Sequence, residues 1–156
     1  MKIEIGDTAP GFALYDTTRT KISLSDLRGN NVLLLFFPQA FTRVCTKELC
    51  SVRDNMNQYD QLKATVFGIS VDSVYTLAKY REDQHLNFSL LSDFNKEVSS
   101  AYGSLYETWA LGMKGVSKRA AFVIDKNGIV RYAEVLENAS EEPNYQLIEN
   151  VLKDLD

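Results

Sequence analysis

Residues Val32-Leu33-Leu34-Leu35-Phe36-Phe37 form an unbroken apolar run, bounded by Asn30-Asn31 on one side and Pro38 on the other. Six residues are too few for a helix of ordinary length. A strand buried on both faces has this pattern, and such strands are usually parallel and central in their sheet. Val66-Phe67-Gly68-Ile69-Ser70-Val71 reads the same way, while Ala120-Ala121-Phe122-Val123-Ile124-Asp125 is a strand whose hairpin with the return strand adds antiparallel pairing. Between the first two runs, residues 43–61 predict one helix, because Cys45, Leu49, Val52, Met56 and Tyr59 recur at helical spacing and share a face. Ser73 caps a second helix that reaches about His85, with Val74, Leu77 and Tyr80 inward. Leu90-Leu91 is a short strand, and Lys96 to Tyr102 is a short helix stopped by Gly103. Ahead of all this, Phe12, Leu14, Ile22 and Leu24 flank Thr17-Thr18-Arg19 as a hairpin, and Ser25 caps a helical turn that ends at Gly29. At the other end, Lys126-Asn127-Gly128 turns the chain into a return strand, Ile129 to Val135. Pro143 then opens a last helix with Leu147, Ile148, Val151 and Leu152 inward. Alternating strands and helices require right-handed crossovers and parallel pairing, so the chain reads as α/β. A central mixed β-sheet carries helices on both faces, and residues 1–156 make one domain.

Composition narrows the function. The net charge of −4 supplies no electrostatic footprint for nucleic acid. The longest apolar run is far short of the ~20 residues of a membrane helix. The start, Met1-Lys2-Ile3-Glu4-Ile5-Gly6-Asp7, has two acids and no long apolar core, so it is no secretory signal. These features predict a cytoplasmic protein with no nucleic-acid or membrane partner. Two cysteines and one histidine are too few for a closed zinc site of those residues alone. In a reducing compartment, two cysteines this close point to chemistry more than to structure.

Cys45 is placed to be a nucleophile. It follows a buried strand and opens a helix, where first-turn amides have no internal partners and the aligned peptide dipoles leave partial positive charge. A sulfur anion is favoured there. The plainer reading is a small core residue, which free cysteine often is.

The residues around it resemble the peroxiredoxin family. Pro38, Thr42 and Cys45 stand in its Pro-x-x-x-Thr-x-x-Cys motif. The resemblance continues through Gly6-Asp7-Thr8-Ala9-Pro10-Gly11-Phe12, Leu91-Ser92-Asp93, Ala101-Tyr102-Gly103 and the segment Arg119 to Asp125. It implies a thioredoxin-like fold and a thiol-dependent peroxidase acting on hydrogen peroxide and organic hydroperoxides. No metal, flavin or haem is implied. On the family pattern Cys45 attacks the peroxide, and the Cys45 amide, the Thr42 hydroxyl and the Arg119 guanidinium stabilise the charge that develops. Pro38 shields the sulfur. Glu48, one turn on, orients Arg119; its negative charge works against the thiolate, so the role is orienting only. Phe41 and Val44 contribute to substrate binding, and Phe37 and Trp109 are further candidates for an apolar entrance. Each has a plainer alternative: Pro38 as a strand end, Thr42 as a helix cap, Arg119 as a surface cation, Glu48 as a first-turn acid and the aromatics as core.

Cys50 follows Cys45 by five residues. In an intact helix that spacing separates the Cα atoms by about 8.6 Å and turns the side chains roughly 140° apart. Disulfides rarely span more than about 7 Å, so pairing requires the turn to unwind. The spacing resembles the bacterioferritin-comigratory branch of the family, in which a second cysteine resolves within one chain. Phe36-Phe37-Pro38 with Ala40-Phe41-Thr42, and Ser92-Asp93-Phe94, are more similar to the one-cysteine alkyl hydroperoxide reductase E branch. Arg43 stands where these relatives have glycine, and Thr46 where typical two-cysteine relatives have proline. The resemblance implies recycling by thioredoxin or a similar dithiol, and a monomer or homodimer. Cys50 is either the resolving thiol or a helix residue with no redox role. A thioredoxin-like disulfide oxidoreductase and a redox sensor or holdase without turnover stay open as alternatives.

Overall fold

The computed structural model describes residues 2–155. The chain opens with β1 (Ala13–Asp16) and β2 (Lys21–Ser23), then β3 (Asn31–Phe36), α1 (Arg43–Asp54), α2 (Met56–Gln61) and β4 (Ala64–Ser70). It continues through α3 (Val74–Asp83), β5 (Ser89–Ser92), α4 (Glu97–Ala101), β6 (Arg119–Ile124), β7 (Val130–Leu136) and α5 (Tyr145–Asp154). The strands lie side by side in the order β2-β1-β5-β4-β3-β6-β7. The three central strands β3, β4 and β5 are parallel, and every pair outside them is antiparallel.

The unbroken run in β3 has a period of two hidden inside it. Leu33, Leu35 and Phe37 enter one core, together with α1, α2, α3 and α5. Val32, Leu34 and Phe36 enter the other, with α4 and the N-terminal segment. Successive side chains of a strand face opposite ways, so a strand covered on both faces needs apolar residues at every position. Helices do lie on both faces, four against one. Gly68 in β4 keeps this packing possible: a Cβ there would stand 2.7 Å from Leu90 Cδ2 and 3.3 Å from Phe37 Cε1. Phe37 is the residue that leads into the loop at Pro38.

Three local expectations are corrected. The helix over 43–61 is broken at Asn55, whose backbone leaves the helical region at φ −111° and ψ 12°. Its side chain donates to the Ser51 carbonyl, the competition by which asparagine disfavours helix interiors. The apolar spacing runs on through the break, so the pattern conceals it. Ser25 does not cap its turn; the short 3₁₀ segment Leu24–Leu27 includes it. In α5, Asn144 is the cap and accepts from the Leu147 amide, with Pro143 just outside. Leu147 is about half exposed, while Ile148 and Leu152, four residues apart, are fully buried. The cap predicted at Ser73 is present, its hydroxyl accepting from the Thr76 amide.

Sheet pairing positions the cysteine loop. The N-terminal end of β6 lies beside the C-terminal end of β3, with Ala120 opposite Phe36. Arg119, the first residue of β6, therefore stands next to the loop that leaves β3 and opens α1.

Candidate active site

Cys45 is the third residue of α1, and the first helical hydrogen bond around it runs from the Thr46 amide to the Thr42 carbonyl. The amides before that bond belong to the unsatisfied first turn. The sulfur is 1% exposed. Arg119, buried to the same degree, donates from Nη2 to Cys45 Sγ at 3.2 Å and from Nη1 to Glu48 Oε1 at 2.7 Å. Two more donations, from Nε at 3.1 Å and Nη2 at 2.9 Å, converge on the Ala139 carbonyl. The planar fork is thus fixed by three partners, and one edge is committed to the sulfur. Arg119 is hydrogen-bonded to both Cys45 and Glu48, at separations of 74 and 71 residues along the sequence. The Ala139 carbonyl is a backbone acceptor, which no side-chain motif can announce.

The loop between β3 and α1 is held in an unusual shape. Phe41 takes a left-handed φ of 67°, which costs a non-glycine residue about 1–2 kcal/mol. Local hydrogen bonds offset this. The Ala40 amide donates to Asp72 Oδ2 at 2.8 Å, and the Ser70 hydroxyl donates to the same oxygen at 2.6 Å. The Thr42 hydroxyl donates to the Gln39 carbonyl at 2.8 Å. With its one proton so used, Thr42 Oγ1 offers lone pairs to a guest. Pro38 is buried at the strand end.

A small pocket of about 290 Å³ lies beside Cys45 without including it in its walls, lined by Thr42, Arg43, Val44, Trp109 and Arg119 and closed by the loop at 138–140. Val44 and Trp109 are in this lining. Phe41 is half exposed and packs edge-on against Tyr80, outside the lining. Phe37 is fully buried core. Larger clefts of about 770 and 910 Å³ elsewhere contain neither Thr42 nor Arg119 in their walls, so chemistry and not volume selects the site. Both cysteines are free, and the helix between them is intact. Among the described residues no cluster of His, Cys, Asp or Glu is grouped to hold a metal, and no helix is long and apolar enough to cross a membrane.

Glu48 is fully buried, and its Oε2 has no hydrogen-bond partner. Burial pushes its carboxyl up to about 7 from an ordinary 4.5, with Arg119 holding it back from rising further. The folded protein therefore binds this proton more tightly than the unfolded chain does. Glu48's contribution to stability is best below pH 4.5 and declines as pH rises to about 7, by on the order of 3 kcal/mol. Chemical denaturation of the wild type at several pH values between 5 and 8 should show this decline, and Glu48→Gln should remove it. Identical slopes in the two proteins would mean that Glu48 titrates normally.

Residues 5–133 match the AhpC/TSA family. The Escherichia coli (strain K12) protein named peroxiredoxin Bcp is 33% identical over 154 residues, 97% of each chain. Among solved structures, peroxidoxin BcpB from Mycobacterium tuberculosis matches with a TM-score of 0.87 at 32% identity, over 99% of each chain. A peroxiredoxin-like protein from Aquifex aeolicus matches with a TM-score of 0.88 at 27% identity, covering all of this chain and 90% of its own. The thioredoxin-like architecture implied by the family resemblance is the architecture of these structures.

Proposed function

The chain belongs to the AhpC/TSA family and is a peroxiredoxin, a thiol-dependent peroxidase, and from that premise we propose which of its atoms carry the reaction. The observation that carries the assignment is the single guanidinium shared between Cys45 Sγ and Glu48. Cys45 is the peroxidatic residue. Its thiolate attacks the terminal oxygen of a peroxide, the O–O bond breaks, and the sulfur becomes a sulfenic acid while the second oxygen leaves with the electron pair and takes up a proton. Arg119 stabilises both the thiolate and the charge that grows across the breaking bond, and the amide of Cys45 at the helix start adds a second donor. Thr42 Oγ1 accepts the proton-bearing end of the peroxide and so aims it at the sulfur. Pro38 has no amide hydrogen and keeps water from the buried side. Val44 lines the mouth, and Phe41 stays outside it against Tyr80. Glu48 and the Ala139 carbonyl hold Arg119 in register.

Cys50 is the resolving thiol. It condenses with the Cys45 sulfenic acid to give a disulfide and water, and a dithiol protein of the thioredoxin type reduces that disulfide. A reducing cytoplasm suits this cycle, and the one domain of residues 1–156 carries all of it. Mass spectrometry of the reduced protein after one equivalent of hydrogen peroxide tests the assignment. The expected product has lost two hydrogens and yields a peptide linked between residues 45 and 50. The Cys50→Ser variant should instead hold one added oxygen on Cys45. A stable added oxygen on Cys45 in the wild type would show a one-cysteine cycle.

A further inference from the structure

Two polar contacts tie α3 and its capping residue Gln84 to the stretch of α1 that carries both cysteines. Thr46 Oγ1 lies 2.9 Å from the hydroxyl of Tyr80, whose ring is fully buried. The Cys50 thiol donates to Gln84 Oε1 at 3.6 Å, within range for sulfur. One turn later Arg53 donates to the Gln84 carbonyl at 2.6 Å, and Asn87 donates to the Arg53 carbonyl at 3.2 Å. Positions 46, 50 and 53 form one stripe on the helix, so α3 and the residues just after it grip a single side of α1. The opposite side is held through Glu48 and Cys45 by Arg119. Neither Tyr80 nor Gln84 lines the pocket bounded by Thr42 and Arg119.

These contacts exist only while the turn is wound. Unwinding takes Thr46 and Cys50 away from partners that are buried or partly buried, and a polar group deprived of its partner is costly. The contact with Gln84 also keeps the Cys50 thiol in a hydrogen bond and away from Cys45. We propose that Tyr80 and Gln84 act as a latch on α1, and that its release sets the rate at which Cys50 reaches oxidised Cys45. The proposal rests on Cys50 being the resolving thiol. In the gated step, Cys50 sulfur attacks the sulfenic sulfur, the S–S bond forms, the S–O bond breaks, and hydroxide leaves as water with the thiol proton. In the competing step, a second peroxide oxidises the sulfenic acid to sulfinic acid and is itself reduced to alcohol or water. A tight latch lengthens the interval in which the second step can occur. Tyr80 and Gln84 are positioning residues on this account.

Rapid-quench mass spectrometry of the whole protein separates the steps. Tyr80→Phe keeps the ring against Phe37 and Phe41 and removes only the hydroxyl. The first oxidation should be unchanged. Disulfide formation should quicken about five-fold, the effect of one net hydrogen bond on an equilibrium. Sulfinic acid at high peroxide should fall by a similar factor. Thr46→Val removes the other half of the pair and should give the same acceleration, and the double variant should go no faster than either single one. Should Tyr80→Phe fail to fold, Thr46→Val decides alone. Disulfide formation at the wild-type rate, or slower, in a folded variant overturns the latch and leaves the role of Cys50 standing. No linked peptide in the wild type overturns both.

Discussion

Cys45→Ser is expected to lose at least about 10⁴-fold in peroxide turnover while keeping its fold. Removing the nucleophile of an enzyme typically costs this much or more, because the remaining groups can only bind and polarise. Serine is close to cysteine in size, and its oxygen can still accept from Arg119 Nη2, which now reaches the sulfur at 3.2 Å. The buried cluster therefore keeps its hydrogen bonds and loses only the atom that forms the new bond. Nothing nearby substitutes for it: the Thr42 proton is committed to the Gln39 carbonyl, and Cys50 lies more than a helical turn away on α1, facing Gln84. The measurement is hydrogen peroxide consumption under excess dithiol, with circular dichroism to confirm folding. A folded variant that retains activity within ten-fold of the wild type would move the chemistry to another residue. The same assay separates the alternatives left by the sequence. A disulfide oxidoreductase would reduce insulin without consuming peroxide, and a redox sensor would consume one equivalent and stop.

The readable parts of this chain are those where local pattern and three-dimensional environment coincide. Val32 to Phe37 is a central strand because both of its faces are covered, and an unbroken apolar run is how such a strand is written. The Ser73 cap and the turn before β7 were legible for the same reason, since their chemistry is local. The break at Asn55 was hidden because Met56 and Tyr59 keep their spacing across it. Leu147 misled because hydropathy alone cannot say which of two adjacent leucine-like positions a helix turns inward. At the site, Cys45, Glu48 and Arg119 came from family spacing, and the sheet brings them together by placing the start of β6 beside the end of β3. Asp72 accepts locally from Ser70, as an acid after a strand commonly does, yet it also pins Ala40 across 32 residues. Tyr80 read as core, which is true of its ring and silent about its hydroxyl. The contacts of Thr46 and Cys50 with α3 each join residues 34 apart, and only folding makes them neighbours.

Replacing Arg119 should damage both catalysis and stability, and the two losses should be separable. Arg119→Met removes the donor aimed at the sulfur, and loss of one such preorganised donor costs about 10²–10³ in turnover. It also strips the fully buried Glu48 of the donation it accepts from Arg119, and leaves the Ala139 carbonyl without the two donations it now accepts. Breaking a buried ion pair by removing one partner typically costs about 3–5 kcal/mol. That penalty requires Glu48 to be charged. Its carboxyl is already raised to about 7 by burial with Arg119 in place, and without Arg119 nothing opposes a further rise. Below pH 5 the side chain is neutral in the folded variant, so the destabilisation should be small there and should grow as pH climbs past 7. Adding Glu48→Gln to Arg119→Met removes the charge altogether. The double variant should regain most of the stability lost at pH 8 and none of the turnover. Denaturant unfolding at pH 5 and pH 8, with peroxide assays on the same four proteins, reads both quantities. If the double variant recovered activity, Arg119 would be a brace for Glu48 and no participant in the chemistry. If it recovered no stability, the cost of losing Arg119 would lie in the loop at Ala139, with the buried carboxylate a bystander.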